Sequence, residues 1–208
     1  MTEGTVYGYT FARDQSEYGA FLSRMGQVVN PRTRLPAWPF RSKQGQVDLC
    51  EYNEFSDDEF TNALEVLARV HGDESISLVV EPDPEDYHIQ ALKHFPCFSI
   101  PTVDIGSSYW EAVSYEPQGD PGGAVLYADA FAIFGESGSW AVWGQRDWEV
   151  AVVQAESVTR PWREKTDIFV SPEVAVQRFI QPELGGSRWS REEIDGFVSR
   201  MRSDPGAR

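Results

Sequence analysis

The stretch that decides the fold covers residues 134–153 and reads FGESGSWAVWGQRDWEVAVV. Residues 135–138 and 144–147 have the composition of tight turns, because glycine and short polar side chains readily adopt turn conformations. The apolar residues that follow these turns predict one strand over 140–143 and another over 148–153. The sequence therefore predicts an antiparallel β-meander. Its three tryptophans are interpreted as scaffold, since large aromatic side chains dominate core packing.

Apolar periodicity outside this stretch predicts both helices and strands. The helical spacing of apolar residues predicts four main amphipathic helices near 14–30, 57–71, 172–181 and 191–202. A shorter helix is expected to begin at Asp83-Pro84. Alternation and β-branched runs predict strands over 6–11, 47–52, 76–80, 109–115 and 125–134. The fold class is therefore α+β, a mainly antiparallel sheet with a central meander, with 125–134 and 148–154 near its centre.

The length and composition indicate one domain. A chain of 208 residues with 41% hydrophobic content can bury one large core, so residues 1–208 are interpreted as a single globular α+β domain. Prolines make residues 30–46 an irregular arm, and residues 203–208 a frayed tail. No apolar run approaches the roughly 18 residues of a membrane span, and the first residues lack an export signal. A cytoplasmic protein is expected, with Cys50 and Cys97 as buried reduced thiols.

Helix-capping patterns give the sharpest local predictions. Asp14 with Glu17, Ser56 with Glu59, and Ser190 with Glu193 each have the spacing of a capping box. Gly72 is placed to end the second main helix in a left-handed conformation. These patterns predict where three helices begin and where one of them ends.

The charge distribution is the least ordinary property of the sequence. The net charge is −15, and residues 44–90 contain thirteen acids and one base, for a net charge of −12. Residues 30–43 contain four basic residues and no acid. A polyanion would be repelled by the acidic segment, so nucleic-acid binding is disfavoured and a cationic protein partner is favoured.

The acids that could bind such a partner fall in two groups. Capping needs only one or two carboxylates in each helix, so the remaining carboxylates are available for a surface that attracts a cationic protein. The alternative is that they are simply solvated and promote solubility. The predicted partner-binding residues are Glu51, Glu54, Asp57, Asp58, Glu59, Asp83, Glu85 and Asp86.

No residue pattern predicts catalysis, a metal or a cofactor. His88 and His94 are six residues apart, so one helical face cannot present both to a metal ion. Asp86 and His88 have no nucleophile tied to them by a motif, and residues 119–123 lack the Lys-Ser/Thr of a phosphate loop. Arg146, Asp147 and Glu149 lie on a predicted turn, where a salt-bridged turn is commoner than an acid/base pair. The sequence predicts no cofactor and no catalytic residue.

Residues 129–153 resemble the meander of small acidic bacterial proteins, including the immunity-type proteins that accompany polymorphic toxins. The resemblance implies a fold style and a toxin-binding role without catalysis, and it assigns no site residue. The expected function is therefore a non-catalytic, cytoplasmic, immunity-type inhibitor that neutralises a cationic toxin or effector. Three alternatives stay open: an acidic decoy of a DNA-binding protein, an enzyme without a recognised motif, and a structural domain whose acidity serves solubility.

Overall fold

The computed structural model describes residues 5–6, 9–42, 45–81, 94–115, 123–157, 159–180 and 189–202. In these residues one eight-stranded sheet forms, and all its recorded strand pairs are antiparallel. The strands are β1 Thr5–Val6, β2 Tyr9–Phe11, β3 Gln46–Glu51, β4 Ser75–Glu81, β5 Cys97–Pro101, β6 Ala130–Gly135, β7 Trp140–Gln145 and β8 Val150–Ala155. Their order across the sheet is β1-β2-β5-β4-β6-β7-β8-β3.

The helices of the described residues vary widely in length. They are α1 Gln15–Val28, α2 Asp58–His71, α3 Ile105–Val113, α4 Ala124–Tyr127, α5 Pro172–Ala175 and α6 Arg191–Met201. A π-helical turn, Val176–Ile180, continues α5. Shorter 3-10 turns occupy Tyr52–Ser56, Thr102–Asp104, Arg146–Trp148 and Pro161–Glu164. The structure confirms the α+β class and the four main predicted helices. None of the described helices combines the length and apolarity needed to cross a bilayer.

The sheet has a hydrophobic cluster on each face. One cluster packs α2, α3 and the Pro161–Glu164 turn against alternate sheet residues such as Val142 and Val153. The other packs α1, α5 and α6 against the intervening residues, such as Trp143 and Val152. This arrangement follows from the strand period of two, which sends neighbouring side chains to opposite faces.

The predicted meander is confirmed, but the expected position of 148–154 near the centre of the sheet is wrong, because β8 lies next to the edge strand β3. Strands β6, β7 and β8 are consecutive in the sheet, and each pairs with the next in antiparallel register. The prediction was wrong at two of its boundaries. Strand β6 begins at Ala130 because residues 124–127 form a helical turn, and β8 begins at Val150 because Glu149 is left-handed, with φ of 53°.

The strand predicted over 109–115 is wrong, since this segment belongs to α3. Ile105, Tyr109 and Ala112 are buried at helical spacing and face α2, so the helical period prevails over the apparent alternation. The structure also adds β5, which the sequence analysis did not predict. Cys97 in β5 and Cys50 in β3 are both buried, as expected, but they lie in clusters on opposite faces of the sheet.

The caps agree fully with the predictions at two helix ends: Ser190 and Glu193 form the predicted capping box, and Gly72 ends α2 with φ of 71°. The box predicted at Asp14 is half formed, because the Asp14 side chain accepts from the amides of Ser16 and Glu17 while the Glu17 carboxylate accepts from the amide of Arg13. The box at Ser56 is wrong. Asp57 is the N-cap of α2, Ser56 donates to the Asn53 carbonyl, and Glu59 accepts a hydrogen bond from Thr166.

The irregular arm packs on the protein along its described part, up to residue 42. Leu35 is buried, and its amide donates to Oε1 of Gln145 at 2.8 Å. Val29 and Phe40 form an isolated antiparallel bridge that closes the arm on the end of α1. The predicted tail at 203–208 and the predicted helix at Asp83 lie outside the described residues.

Candidate functional site

An open groove of about 640 Å³ lies at the N-terminal end of α2. Four of the predicted partner-binding carboxylates line it, together with two apolar side chains from distant parts of the chain. Its lining residues are Glu54, Ser56, Asp57, Asp58, Glu59, Trp110 and Ile168, and we call it the acidic groove. The groove therefore has two kinds of lining: the four carboxylates, which we call its acidic wall, and Trp110 with Ile168, which we call its apolar wall.

The acidic wall is positioned by the 3-10 turn that joins β3 to α2. Tyr52 and Phe55 are buried in this turn, and the Tyr52 hydroxyl donates to the Ala128 carbonyl at 2.5 Å. Phe55 packs on Phe131 with ring centroids 4.6 Å apart. These anchors hold the turn, so that the intervening Glu54 and the residues that follow reach solvent.

The apolar wall comes from α3 and from the segment after the Pro161–Glu164 turn. Helix α3 buries Ile105 and Tyr109 against the core, which leaves Trp110 on its outer side with 53% of its surface exposed. Ile168 is half-buried beside Thr166, whose hydroxyl donates to Glu59. Trp110 is the most exposed of the seven tryptophans, all of which the structure describes.

The carboxylates of the groove have no cationic neighbour in the described residues. Within that part of the chain, no ion pair of 4.0 Å or less involves Glu51, Glu54, Asp57, Asp58 or Glu59. Some acids elsewhere in the described residues are paired, such as Glu65 with Arg69 and Glu173 with Arg202. The groove thus gathers four carboxylates whose charge the described part of the chain does not compensate by ion pairs.

Glu54 shows the consequence of this crowding. Burial raises the pKa of Glu54, and so do a hydrogen bond with Asp57 and the nearby charges of Asp57, Glu51 and Glu59. The ionised form of Glu54 is therefore less stable in the folded protein than in the unfolded chain. A cation placed in the groove would relieve this repulsion.

We expect Glu54→Gln to raise the melting temperature at pH 7 by up to about 4 °C, since interactions between exposed charges contribute up to about 1 kcal/mol. The folded-state pKa is raised, so the destabilisation is absent below the ordinary glutamate pKa and complete above the raised value. The gain should therefore shrink as pH falls towards about 4. Thermal unfolding from about pH 4 to pH 8 measures it. Glu74→Gln, at an exposed position, is the control. An equal change in melting temperature for Glu54→Gln at the lowest and the highest pH would contradict the prediction.

Two acids of the sequence's acidic segment are part of the scaffold. Asp48 is fully buried and accepts hydrogen bonds from Trp162 and Arg163. Asp73 is also buried and accepts from Trp140. These two carboxylates are unavailable to a partner, whereas the predicted site residues Glu51, Glu54, Asp57, Asp58 and Glu59 are all at least partly exposed. Asp83, Glu85 and Asp86, the second predicted group, lie outside the described residues.

The weaker chemical candidates have structural roles where the structure describes them. Arg146 donates to the carbonyls of Leu126 and Ala128, and its guanidinium lies 5.3 Å from the centroid of the Tyr52 ring. His94 stacks on Phe11 with centroids 3.8 Å apart. In the ranges described, no group of three or more His, Cys, Asp or Glu side chains is arranged to hold a metal ion.

A second, larger groove of about 860 Å³ lies between α6 and the α5 segment. Its charged lining includes two pairs of opposite sign, Glu173 with Arg202 and Arg191 with Asp195. Because these charges are paired, the second groove has no excess of negative charge comparable to that of the acidic groove. It also adjoins residues 181–188, which the structure does not describe. The acidic groove is therefore the stronger candidate.

Sequence reasoning missed the apolar wall of the acidic groove. Trp110 fell in a predicted strand, and Ile168 belonged to no predicted element. The helical spacing of Ile105, Tyr109 and Ala112 is the signal that could have shown Trp110 lying off the buried stripe. No family model, curated protein or solved structure that was compared with the chain matches it.

Proposed function

We propose that this protein is a non-catalytic binding protein that holds a cationic protein partner in the acidic groove. The observation that carries the proposal is the cluster of Glu54, Asp57, Asp58 and Glu59, which makes no ion pair within the described chain and lines the same groove as an exposed tryptophan. Complementary charge accelerates association, and a central aromatic residue is a common anchor of protein interfaces.

An immunity-type role is the specific form of this proposal. The resemblance of residues 129–153 to immunity-type proteins supports it, and a cationic toxin or effector is the partner whose charge fits the groove. In such a role the protein would neutralise the toxin by covering a basic surface, and no chemical step would be required of the inhibitor. A cytoplasmic location belongs to the same proposal.

The test compares two variants that lose the same number of negative charges. Glu54→Gln/Asp57→Asn/Asp58→Asn removes three of the four charges of the groove, leaves Glu59 bonded to Thr166, and keeps a residue that can cap α2 at position 57. Glu74→Gln/Glu156→Gln/Glu192→Gln is the matched control, because these three residues are exposed and none of them lines the groove. Both variants are expected to keep a melting temperature close to that of the original protein.

We expect the groove variant to bind the captured partner at least tenfold more weakly, about 1.4 kcal/mol, while the control loses much less. Affinity capture from the native host, with each variant as bait, identifies the partner, and calorimetry with the purified partner measures both affinities. The association rate of the original protein should also fall steeply as salt increases, because screening shortens the reach of the groove's field.

The identity and behaviour of the captured protein decide the outcome. The proposal is supported if a basic, toxin-like protein is captured by the original protein and by the control variant but not by the groove variant. A DNA-binding protein released by duplex DNA would instead favour the acidic-decoy function. A partner that binds both variants equally, with an association rate independent of salt, would refute the acidic groove as the binding site.

A further inference from the structure

Trp110 is more exposed than any other tryptophan of the chain, with 53% of its surface accessible to solvent. Four of the seven tryptophans are fully buried, and two more are half-buried. Trp110 lies on α3 and lines the acidic groove together with Asp57 and Asp58. Val103, in the turn before α3, is 90% exposed. An indole and two carboxylates are therefore accessible in one groove.

The combination of an indole face and carboxylates distinguishes between the two basic side chains. A guanidinium is planar and weakly hydrated, so it can stack on an aromatic ring while its edge donates two hydrogen bonds to a carboxylate. An ammonium is a compact, strongly hydrated charge that gains less from a ring in contact with solvent. Uncompensated carboxylates alone would attract both side chains, and it is the ring that favours arginine.

We infer that the occupant of the acidic groove is an arginine side chain of the partner, stacked on Trp110 and hydrogen-bonded to the carboxylates of Asp57 and Asp58. This inference rests on the proposed function and specifies the partner's contact residue. The arginine complements the charge of the groove, because these two carboxylates make no ion pair within the described chain. Trp110 is then the residue that determines specificity for arginine over lysine.

The experiment uses hexa-arginine and hexa-lysine peptides as probes of the full chain at low salt. Calorimetry measures each affinity, and protection of Trp110 from acrylamide quenching shows whether the peptide covers the groove. Trp110→Phe keeps an aromatic face, whereas Trp110→Leu keeps apolar bulk without one. Leu126→Ala, which shortens another side chain that is more than half exposed, is the control for a general loss of apolar surface.

We expect Trp110→Leu to weaken hexa-arginine binding by roughly two- to fivefold, the range expected for an exposed cation–π contact. Trp110→Phe should have an intermediate effect, hexa-lysine binding should change little in either variant, and Leu126→Ala should leave both affinities unchanged. The difference between the peptides should disappear when Trp110 is leucine.

Two results would overturn the inference, and they are distinguishable. If both peptides bind the groove and neither responds to Trp110→Leu, the preference for arginine is refuted while the charge-based function stands. If neither peptide is affected by Glu54→Gln/Asp57→Asn/Asp58→Asn, the groove is not a cationic site, and the proposed function fails with the inference.

Discussion

Asp48→Ala is expected to lower the free energy of unfolding by about 3 kcal/mol, because it removes a buried acceptor that several donors share. Asp48 is fully buried in β3, and its Oδ2 accepts from Nε1 of Trp162 at 2.9 Å and from Nε of Arg163 at 2.7 Å. Arg160 lies 3.2 Å from Oδ1. Without the carboxylate, the buried indole nitrogen loses its partner and the two arginines lose their common anchor.

The same substitution should disturb the acidic groove, which connects it to function. The Pro161–Glu164 turn packs on α2, and the chain continues from this turn to Thr166, which bonds Glu59, and to Ile168 in the apolar wall. Burial raises the pKa of Asp48, and the hydrogen bond and charge of Arg163, the charge of Arg160 and the hydrogen bond of Trp162 offset part of this effect. The two arginines therefore favour the ionised form of this buried carboxylate.

Thermal and denaturant unfolding measure the Asp48 effect. A loss of about 3 kcal/mol corresponds to a melting temperature lower by about 6–12 °C in a chain of this size. Asp48→Asn retains one acceptor oxygen and should lose less, while the exposed Asp147→Ala should have little effect. If Asp48→Ala were as stable as Asp147→Ala, the buried network would not contribute to stability.

The elements predicted correctly are those whose signals are local. The meander follows from two turns a few residues long, and α6 follows from the spacing of Ser190 and Glu193. The strand predicted over 109–115 is wrong because the nine residues of α3 satisfy both the helical and the strand period over a short window. Its packing against α2, a contact that spans about forty residues of chain, decides in favour of the helix. Tertiary contacts of this kind leave no local signal.

The candidate site was predictable only in part, for the same physical reason. A count of charges finds Glu54, Asp57 and Asp58 because they are close in sequence. A charge count cannot show that Trp110 and Ile168 line the same groove, since only the folded chain brings these two residues close to the carboxylates. A charge count also does not show burial. The sequence alone therefore does not distinguish the buried carboxylates of the acidic segment from the exposed ones.

Asp73→Ala is expected to lower the free energy of unfolding by about 2 kcal/mol, because Asp73 ties the end of α2 to the turn between β6 and β7 of the meander. Its Oδ2 accepts from Nε1 of Trp140 at 2.7 Å, and its Oδ1 accepts from the amide of Ser137 at 2.5 Å. The Thr102 hydroxyl donates to its backbone carbonyl at 2.6 Å, a bond that the substitution leaves in place. The expected loss therefore comes from the two side-chain acceptors alone.

A double-mutant cycle with Trp140→Phe tests this contact directly. Trp140→Phe removes the indole donor, so Asp73→Ala should do less harm in that background, with a coupling of about 1 kcal/mol measured by urea unfolding. Additive effects of the two substitutions would contradict the assignment. A positive coupling would mean that Trp140, one of the three tryptophans of the meander, is held by a buried carboxylate as part of the scaffold.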